Sequence, residues 1–144
     1  MRTDISTCQV SLDDDTALHH WNGVIHGVLC HGQATGDHLT ALLTAAPDFA
    51  MGHAMKGLAC LMLGRRELIQ AAQDASAAAT KALSLGGATE RERLWCHALS
   101  DWLLGKPSSS IARMEQALRL NPADTISMKL SHGIRFMLGD QHGM

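Results

Sequence analysis

Apolar residues recur along most of the chain with the three-to-four-residue period of amphipathic helices, and the alternation that marks half-buried strands does not occur. In residues 66–85, an alanine-rich apolar stripe lies opposite a polar stripe at helical spacing. Residues 48–63 are apolar nearly all round, which predicts a helix that is covered on most sides. The pattern predicts seven helices, at residues 13–31, 36–45, 48–63, 66–85, 90–104, 108–120 and 123–138. The predicted fold class is therefore all-α, without a sheet.

Capping residues mark the ends of these predicted helices. Thr89 and Glu92 have the spacing of a capping box at a helix start. Three prolines suit first helical positions, where a missing N–H is tolerated: Pro47, Pro107 and Pro122. Glycines suited to a left-handed residue at a helix end follow five predicted helices, at positions 32, 64, 86, 105 and 139. Because the connections are only a few residues long, consecutive helices are expected to be antiparallel neighbours.

A short motif recurs at a fixed interval. WLLGKP at 102–107 and FMLGDQ at 136–141 place their glycines 34 residues apart, and the earlier intervals, from Gly32 to Gly64 to Gly105, are 32 and 41 residues. A period of about 34 residues with two helices per unit is the signature of the tetratricopeptide repeat (TPR). The longest interval adds seven residues, about two helical turns, which rotates the buried face of a helix only slightly.

The repeat predicts the domain organisation. We expect antiparallel helix hairpins stacked as a right-handed TPR-like α-solenoid over residues 13–139, after a flexible N-terminus at 1–12 and before a short tail at 140–144. Gly57 and Ala98 occupy the positions where such repeats need small residues, so we expect close contacts there between the two helices of a pair.

Three segments also resemble a known family. APDFAMGHAMKGLACLMLGRREL at 46–68, TERERLWCHALSDWLLGKP at 89–107 and NPADTISMKLSHGIRFMLGD at 121–140 are together similar to the tetratricopeptide repeat protein 38-like family. The resemblance runs from about Ala17 to the end of the chain. It implies a helical-repeat protein with no catalytic motif to transfer. Because members of that family are considerably longer, it also implies that these 144 residues are the N-terminal portion of a longer chain.

Composition and charge narrow the classes of function. Hydrophobic residues make up 46% and charged residues 18% of the chain, the net charge is −2, and no block of Lys and Arg suggests a nucleic-acid partner. No apolar run is long enough to span a membrane. The N-terminus lacks the apolar core of a signal peptide, and the four cysteines are scattered without a CxxC pair. These features predict reduced thiols and a cytoplasmic protein.

Histidines are the most frequent candidates for chemistry. Seven of the nine lie in the predicted first helices of pairs, which line the concave wall of a solenoid, at positions 19, 20, 26, 31, 53, 97 and 132. Some of them combine with neighbouring charges into a predicted concave binding surface, formed by His53, Lys56, His97, Asp101, Lys129 and His132. The alternative is that these are simply the solvated positions of amphipathic helices.

A metal-binding alternative rests on the first helix. His19, His26 and Cys30 are spaced i, i+7 and i+11, and His26 with Cys30 is a usable i, i+4 ligand pair. No HExxH motif or compact Cys/His spacing accompanies them. We therefore predict no metal site and no cofactor, with His26 and Cys30 as partly buried packing residues and His19 and His20 as solvated ones.

No pattern of an enzyme is present. GxSxG, GxxxxGK[ST] and a glycine-rich loop after a strand are all missing, and the charges Arg91, Glu92 and Arg93 are typical of a solvated helix start. The predicted function is a scaffold without catalysis that binds a protein or peptide segment on its concave face. The alternatives are a domain that binds a metal or small ligand through its histidines, and a purely structural part of a longer chain.

The last predicted helix lacks a partner helix after it. Its apolar stripe consists of Ile126, Leu130, Ile134 and Met137. One side of this stripe should pack on the preceding helix, whereas the other side is expected to be uncovered within these residues. An uncovered apolar stripe predicts either a continuing chain or a homodimer formed through this helix.

Overall fold

The computed structural model describes residues 1–30 and 35–141, and within them the protein is all-α, as predicted. A single 3₁₀ turn, Arg66–Leu68, precedes the fourth helix. The helices are α1 (Asp15–Cys30), α2 (Thr35–Ala45), α3 (Ala50–Met62), α4 (Ile69–Ser84), α5 (Glu90–Leu103), α6 (Pro107–Leu120) and α7 (Thr125–Gln141). Each predicted helix is thus present, with shifted ends. The predicted helix end at Gly32 lies outside the described residues, as does most of the predicted tail, and α7 continues past Gly139.

Local capping chemistry explains most of the helix boundaries. The Thr89 side chain caps α5 by accepting a hydrogen bond from the Glu92 amide at 3.2 Å. Gly64, Gly86 and Gly105 have φ angles of +68°, +83° and +80°, which confirms the left-handed helix ends that were predicted for them. Pro107 opens α6 as predicted.

Two predicted helix starts, at residues 48 and 123, were two residues too early. Helices α3 and α7 begin three residues after Pro47 and Pro122, because a short turn follows each proline. At α7 the capping residue is Asp124, whose carboxylate accepts a hydrogen bond from the Ser127 amide at 3.2 Å. The proline therefore marks the turn, and the aspartate that follows it starts the helix.

The N-terminal segment differs most from its prediction. Residues 1–12 were expected to be flexible, but β1 (Arg2–Thr3) pairs antiparallel with β2 (Gln9–Val10). The Asp4 carboxylate closes the turn between them by accepting hydrogen bonds from the amides of Ser6 and Cys8. Val10 and Leu12 are buried in the same core as the helices. The expectation of no sheet is also wrong for this ribbon, since two-residue strands are too short to show an alternating pattern.

Helix packing begins with neighbours in the sequence. Contacts join α1 with α2, α3 with α4, α5 with α6, and α6 with α7, and α3 also packs against α5. Helix α3 is buried on most of its surface, as predicted. Gly57 allows its close approach to α5, because a Cβ atom at Gly57 would overlap the methyl carbons of the buried Leu99. The predicted close contact at Gly57 is present, but it joins α3 to α5, whereas the prediction placed it between the two helices of one pair. Ala98 is fully buried.

Helix α7 is covered by its own chain. It contacts α1 and α3 as well as α6. Ile126, Leu130 and Ile134 are at most 1% exposed, so the expectation that one side of this stripe is uncovered is wrong. Met137 is half-buried, and its methyl group lies beside Gly64. The apolar stripe of α7 is therefore not free to form the predicted dimer contact, because α1 and α3 already pack against that side of the helix.

Candidate functional site

The predicted concave surface does not come together as one site. On α3, His53 lies beside the loop before the helix, with its Nε2 atom 2.7 Å from the Pro47 carbonyl oxygen, and Lys56 is exposed. On α5, His97 is exposed, and Asp101 accepts a hydrogen bond from the Arg113 Nε atom of α6 at 3.2 Å. These residues serve local contacts or face solvent.

The remaining two predicted residues do line a cavity. Lys129 and His132 of α7 border an open apolar groove between α1, α3 and α7, with a volume of about 840 Å³. We call it the α1–α3–α7 groove. The residues of the predicted surface on α3 and α5 are not among those lining it, so the structure brings together two of the six. The apolar side chains that form the groove are Val28, Met55, Ala59, Met62, Leu63, Leu130 and Phe136.

Large apolar side chains remain exposed at the edge of this groove. Phe136 is 69% exposed and Leu63 is 65% exposed, and they come from α7 and from the end of α3. Met55 and Met62 lie on the α3 wall, where unbranched side chains can adapt to the shape of a partner. An exposed apolar surface bordered by polar groups is typical of a binding site. The sequence analysis named Lys129 and His132 but not the apolar side chains of the groove. These side chains come from α1, α3 and α7, which are far apart in the sequence.

A buried ionic cluster joins the N-terminal turn to α5 and α7. The Arg91 guanidinium donates to both carboxylate oxygens of Asp124 at 2.8 and 2.9 Å, and to Asp4 at 2.9 Å. Asp4 also accepts a hydrogen bond from the Trp21 indole nitrogen at 3.1 Å. Contacts with Asp124 and Asp4 raise the pKa of Arg91 against the opposing effect of burial. The prediction that Arg91 belongs to a solvated helix start is therefore wrong.

Glu92 is buried too, which also contradicts the predicted solvated start. Its carboxylate accepts hydrogen bonds from the Ser11 amide at 2.8 Å and the Ser11 hydroxyl at 2.5 Å. Burial raises the pKa of Glu92, although these hydrogen bonds and those from Thr89 oppose the shift. The contact of Arg91 with Asp4 and the contact of Glu92 with Ser11 both join α5 to the N-terminal segment, so we interpret them as structural.

The described thiols are poor candidates for nucleophilic chemistry. Cys8, Cys60 and Cys96 are free. Burial raises the pKa of Cys8 to about 11 and that of Cys96 to about 12, so both are protonated at neutral pH. The Cys96 sulfur lies 3.6 Å from the Ala50 carbonyl oxygen, a packing contact between α5 and α3.

Three histidines cluster where α1 packs on α2. The ring centroids of His19, His20 and His38 are separated by 5.4, 5.8 and 5.4 Å. The Nδ1 atoms of His20 and His38 are 3.1 Å apart. His38 was not among the sequence candidates, because it lies on the second helix of its pair. His26 is exposed, while His31 and the Cys30 side chain lie outside the described residues.

Within the described residues, no helix is both long and apolar enough to cross a membrane. No protein family matches the chain, and no solved structure matches it. The surfaces and side-chain clusters of the structure are therefore the features from which a function can be inferred.

Proposed function

We propose that the protein is a helical-repeat interaction module without catalysis of its own, and that it binds an amphipathic helical peptide segment of a partner protein in the α1–α3–α7 groove. The observation that carries the proposal is the exposed apolar bed bordered by Lys129 and His132. A helix that lies in a groove presents apolar side chains at i, i+3, i+4 and i+7. The positive charge of Lys129 at the border favours a partner helix with acidic residues beside its apolar stripe.

The packing of the helix hairpins supports the proposal. The helices of pairs α1/α2, α3/α4 and α5/α6 contact each other, and Gly57 lets α3 approach α5 of the next pair closely. We propose that the 34-residue interval and the resemblance to the tetratricopeptide repeat protein 38-like family reflect this architecture. In this proposal, α7 packs against α1 and α3 and covers part of the concave surface, so that the α1–α3–α7 groove is the part left open. A cytoplasmic location and the absence of a nucleic-acid partner stay predictions.

The test uses helical peptides selected by display on the 144-residue protein. Phe136→Glu places a charge in the apolar bed, and Leu104→Glu is its matched control, because Leu104 is 70% exposed and lies outside the groove. We expect the selected peptides to carry acidic residues and an apolar stripe. Phe136→Glu should weaken their binding at least about tenfold, or 1.4 kcal/mol, while Leu104→Glu leaves it unchanged.

Two results would contradict the proposal. Peptides that bind the Phe136→Glu variant as tightly as the original protein do not occupy the groove. Selection that yields no peptide with a helical apolar stripe would remove the basis for an interaction module and favour the purely structural alternative.

A further inference from the structure

We propose that one edge of the helical hairpins binds the surface of an anionic membrane. This edge is formed by the turn from α3 to α4 and the turn from α5 to α6. We call it the basic edge, and it consists of Leu63, Arg65, Arg66, Ile69, Leu104 and Lys106. The proposal does not depend on the peptide-binding function of the α1–α3–α7 groove, although Leu63 also lines that groove.

The packing of α3 on α5 brings the two turns to the same side of the molecule. The Cys96 sulfur of α5 contacts the Ala50 carbonyl oxygen at the start of α3. Leu99, one turn further along α5, lies against Gly57, which is two turns further along α3. Because both contacts advance in the same direction, the two helices run in the same direction and their carboxyl ends lie at one edge.

The recurring motif of the sequence ends both helices with an exposed leucine. Leu63 and Leu104 are the C-cap residues of α3 and α5, and both are exposed. Each precedes a glycine with a positive φ angle, Gly64 or Gly105, so the chain turns directly after the leucine. Ile69, at the start of α4, is exposed too. Single exposed apolar residues are common, but three on two neighbouring turns form an apolar surface.

The charges at this edge are mainly positive. Arg65, Arg66 and Lys106 are exposed, and Glu67 is the acidic residue in the same turns. Within the part of the chain that the structure describes, none of these three cations forms an ion pair. The basic edge therefore presents three positive charges beside one negative charge, on a chain whose net charge is −2.

Acidic residues lie at the opposite edge. There Gly86 and Gly87, which follow α4, border an open cavity together with Asp13, Asp14 and Asp48. Charge is thus separated across the molecule, with the positive edge at the carboxyl ends of α3 and α5 and the negative edge near their amino ends. An anionic surface attracts the first edge and repels the second, so it orients the protein with the basic edge toward it.

A membrane surface fits the basic edge better than an acidic protein does. Its apolar side chains lie at the ends of two hairpins, with cations beside them. In interfacial binding, apolar groups enter the boundary of the acyl region while Lys and Arg stay at the anionic headgroups. Tight binding of a protein instead depends on anchors that are buried in pockets. Binding at a membrane surface also requires no helix that spans it.

The experiment is co-sedimentation of the 144-residue protein with vesicles of phosphatidylcholine alone or of phosphatidylcholine mixed with phosphatidylserine. We expect binding to the anionic vesicles to be at least about fivefold stronger. Lys106→Glu should weaken it at least about fivefold, because each cation at an anionic surface contributes about that factor. The matched control is Arg119→Glu, which reverses an exposed cation at the end of α6, on the opposite edge, and should leave binding nearly unchanged.

A second pair of variants tests the apolar part of the edge without changing charge. Leu104→Gln should weaken vesicle binding at least about threefold, because less apolar area enters the membrane. Its control is Leu85→Gln, since Leu85 is also exposed but ends α4 at the opposite edge. Leu104 lies outside the α1–α3–α7 groove, so Leu104→Gln should leave the selected peptides bound, and the two proposals can fail separately.

Three results would overturn the proposal. The first is no preference for the anionic vesicles. The second is an equal loss in Lys106→Glu and Arg119→Glu, which would show that net charge alone governs binding. The third is binding to soluble poly-glutamate as tight as to the anionic vesicles, with neither affected by Leu104→Gln, which would favour an acidic protein as the partner.

Discussion

Replacing Arg91 with methionine tests whether the N-terminal segment is held to the helices by buried charge. Methionine keeps an unbranched side chain of similar length but removes the guanidinium and its hydrogen bonds to Asp4 and Asp124. The carboxylates then face each other across the buried site without a counter-charge. The change also removes the contact of the guanidinium with the Trp95 ring, whose centroid is 5.7 Å away.

The expected loss is large because all three groups are buried. The side chains of Asp4 and Asp124 are 0% exposed and that of Arg91 is 6% exposed. Removing one partner of a buried ion pair costs about 3–5 kcal/mol, since the remaining charge stays desolvated. A protein of this size has a free energy of unfolding of about 5–15 kcal/mol, so this single change would remove a substantial part of it.

The assay is urea unfolding followed by tryptophan fluorescence and by far-UV circular dichroism. At a urea m value of about 1.5 kcal/mol/M, the expected loss lowers the unfolding midpoint by roughly 2–3 M. Fluorescence is informative because the Trp21 indole donates to Asp4 at 3.1 Å. The matched control is Arg113→Met, whose ion pair with Asp101 is partly exposed, at 38% and 18%. An exposed pair contributes about 0–1 kcal/mol, so the control midpoint should move little.

Equal shifts in the two variants would refute this reasoning. A loss below about 1 kcal/mol in Arg91→Met would show that the cluster behaves as a surface ion pair. A third variant separates charge from packing, because adding Asp4→Asn and Asp124→Asn to Arg91→Met removes the uncompensated charges and should recover part of the lost stability. No recovery would assign the loss to packing.

Two further predictions concern packing and pH. Gly57→Leu should destabilise the protein by about 1–3 kcal/mol, because the added side chain must displace the buried Leu99. The control is Gly36→Ala, which should be neutral or stabilising because Gly36 is in a helix and has open space around it. Equal urea midpoints for the two variants would contradict the prediction. Burial raises the pKa of Glu92 in the folded protein, so its ionisation favours the unfolded chain. The stability of the original protein should therefore fall relative to Glu92→Gln as pH rises above 4.5, the ordinary pKa of a glutamate. Unfolding free energies of both proteins measured from pH 4 to pH 8 check this sign, and a constant difference would contradict it.

The helices could be predicted from the sequence because their determinants are local. A threonine oxygen at Thr89 reaches an amide three residues later, and a glycine without a Cβ atom can adopt the left-handed conformation at Gly64 or Gly105. The repeat interval also predicted a close contact at Gly57, but it did not predict that the neighbour would be Leu99 of α5. Of the six residues of the predicted concave surface, Lys129 and His132 line the α1–α3–α7 groove and the other four do not. Periodicity shows which face of a helix is polar but does not show which polar residues meet.

Which distant residues meet depends on the tertiary fold, because a local sequence pattern does not specify the residue that a side chain will contact. Arg91 bonds to Asp4, 87 residues away, and to Asp124, 33 residues away, so a charge that is typical of a solvated helix start is buried. The apolar stripe of α7 was read correctly as buried on one side, but its covering by α1 and α3 depends on how the chain returns on itself. The histidine cluster likewise needs His38 of α2 to lie on Gly23 of α1. Local sequence was enough to place the helices and most of their ends, whereas the ionic cluster, the groove and the histidine cluster depend on the folded chain, since each is made by side chains from separate elements.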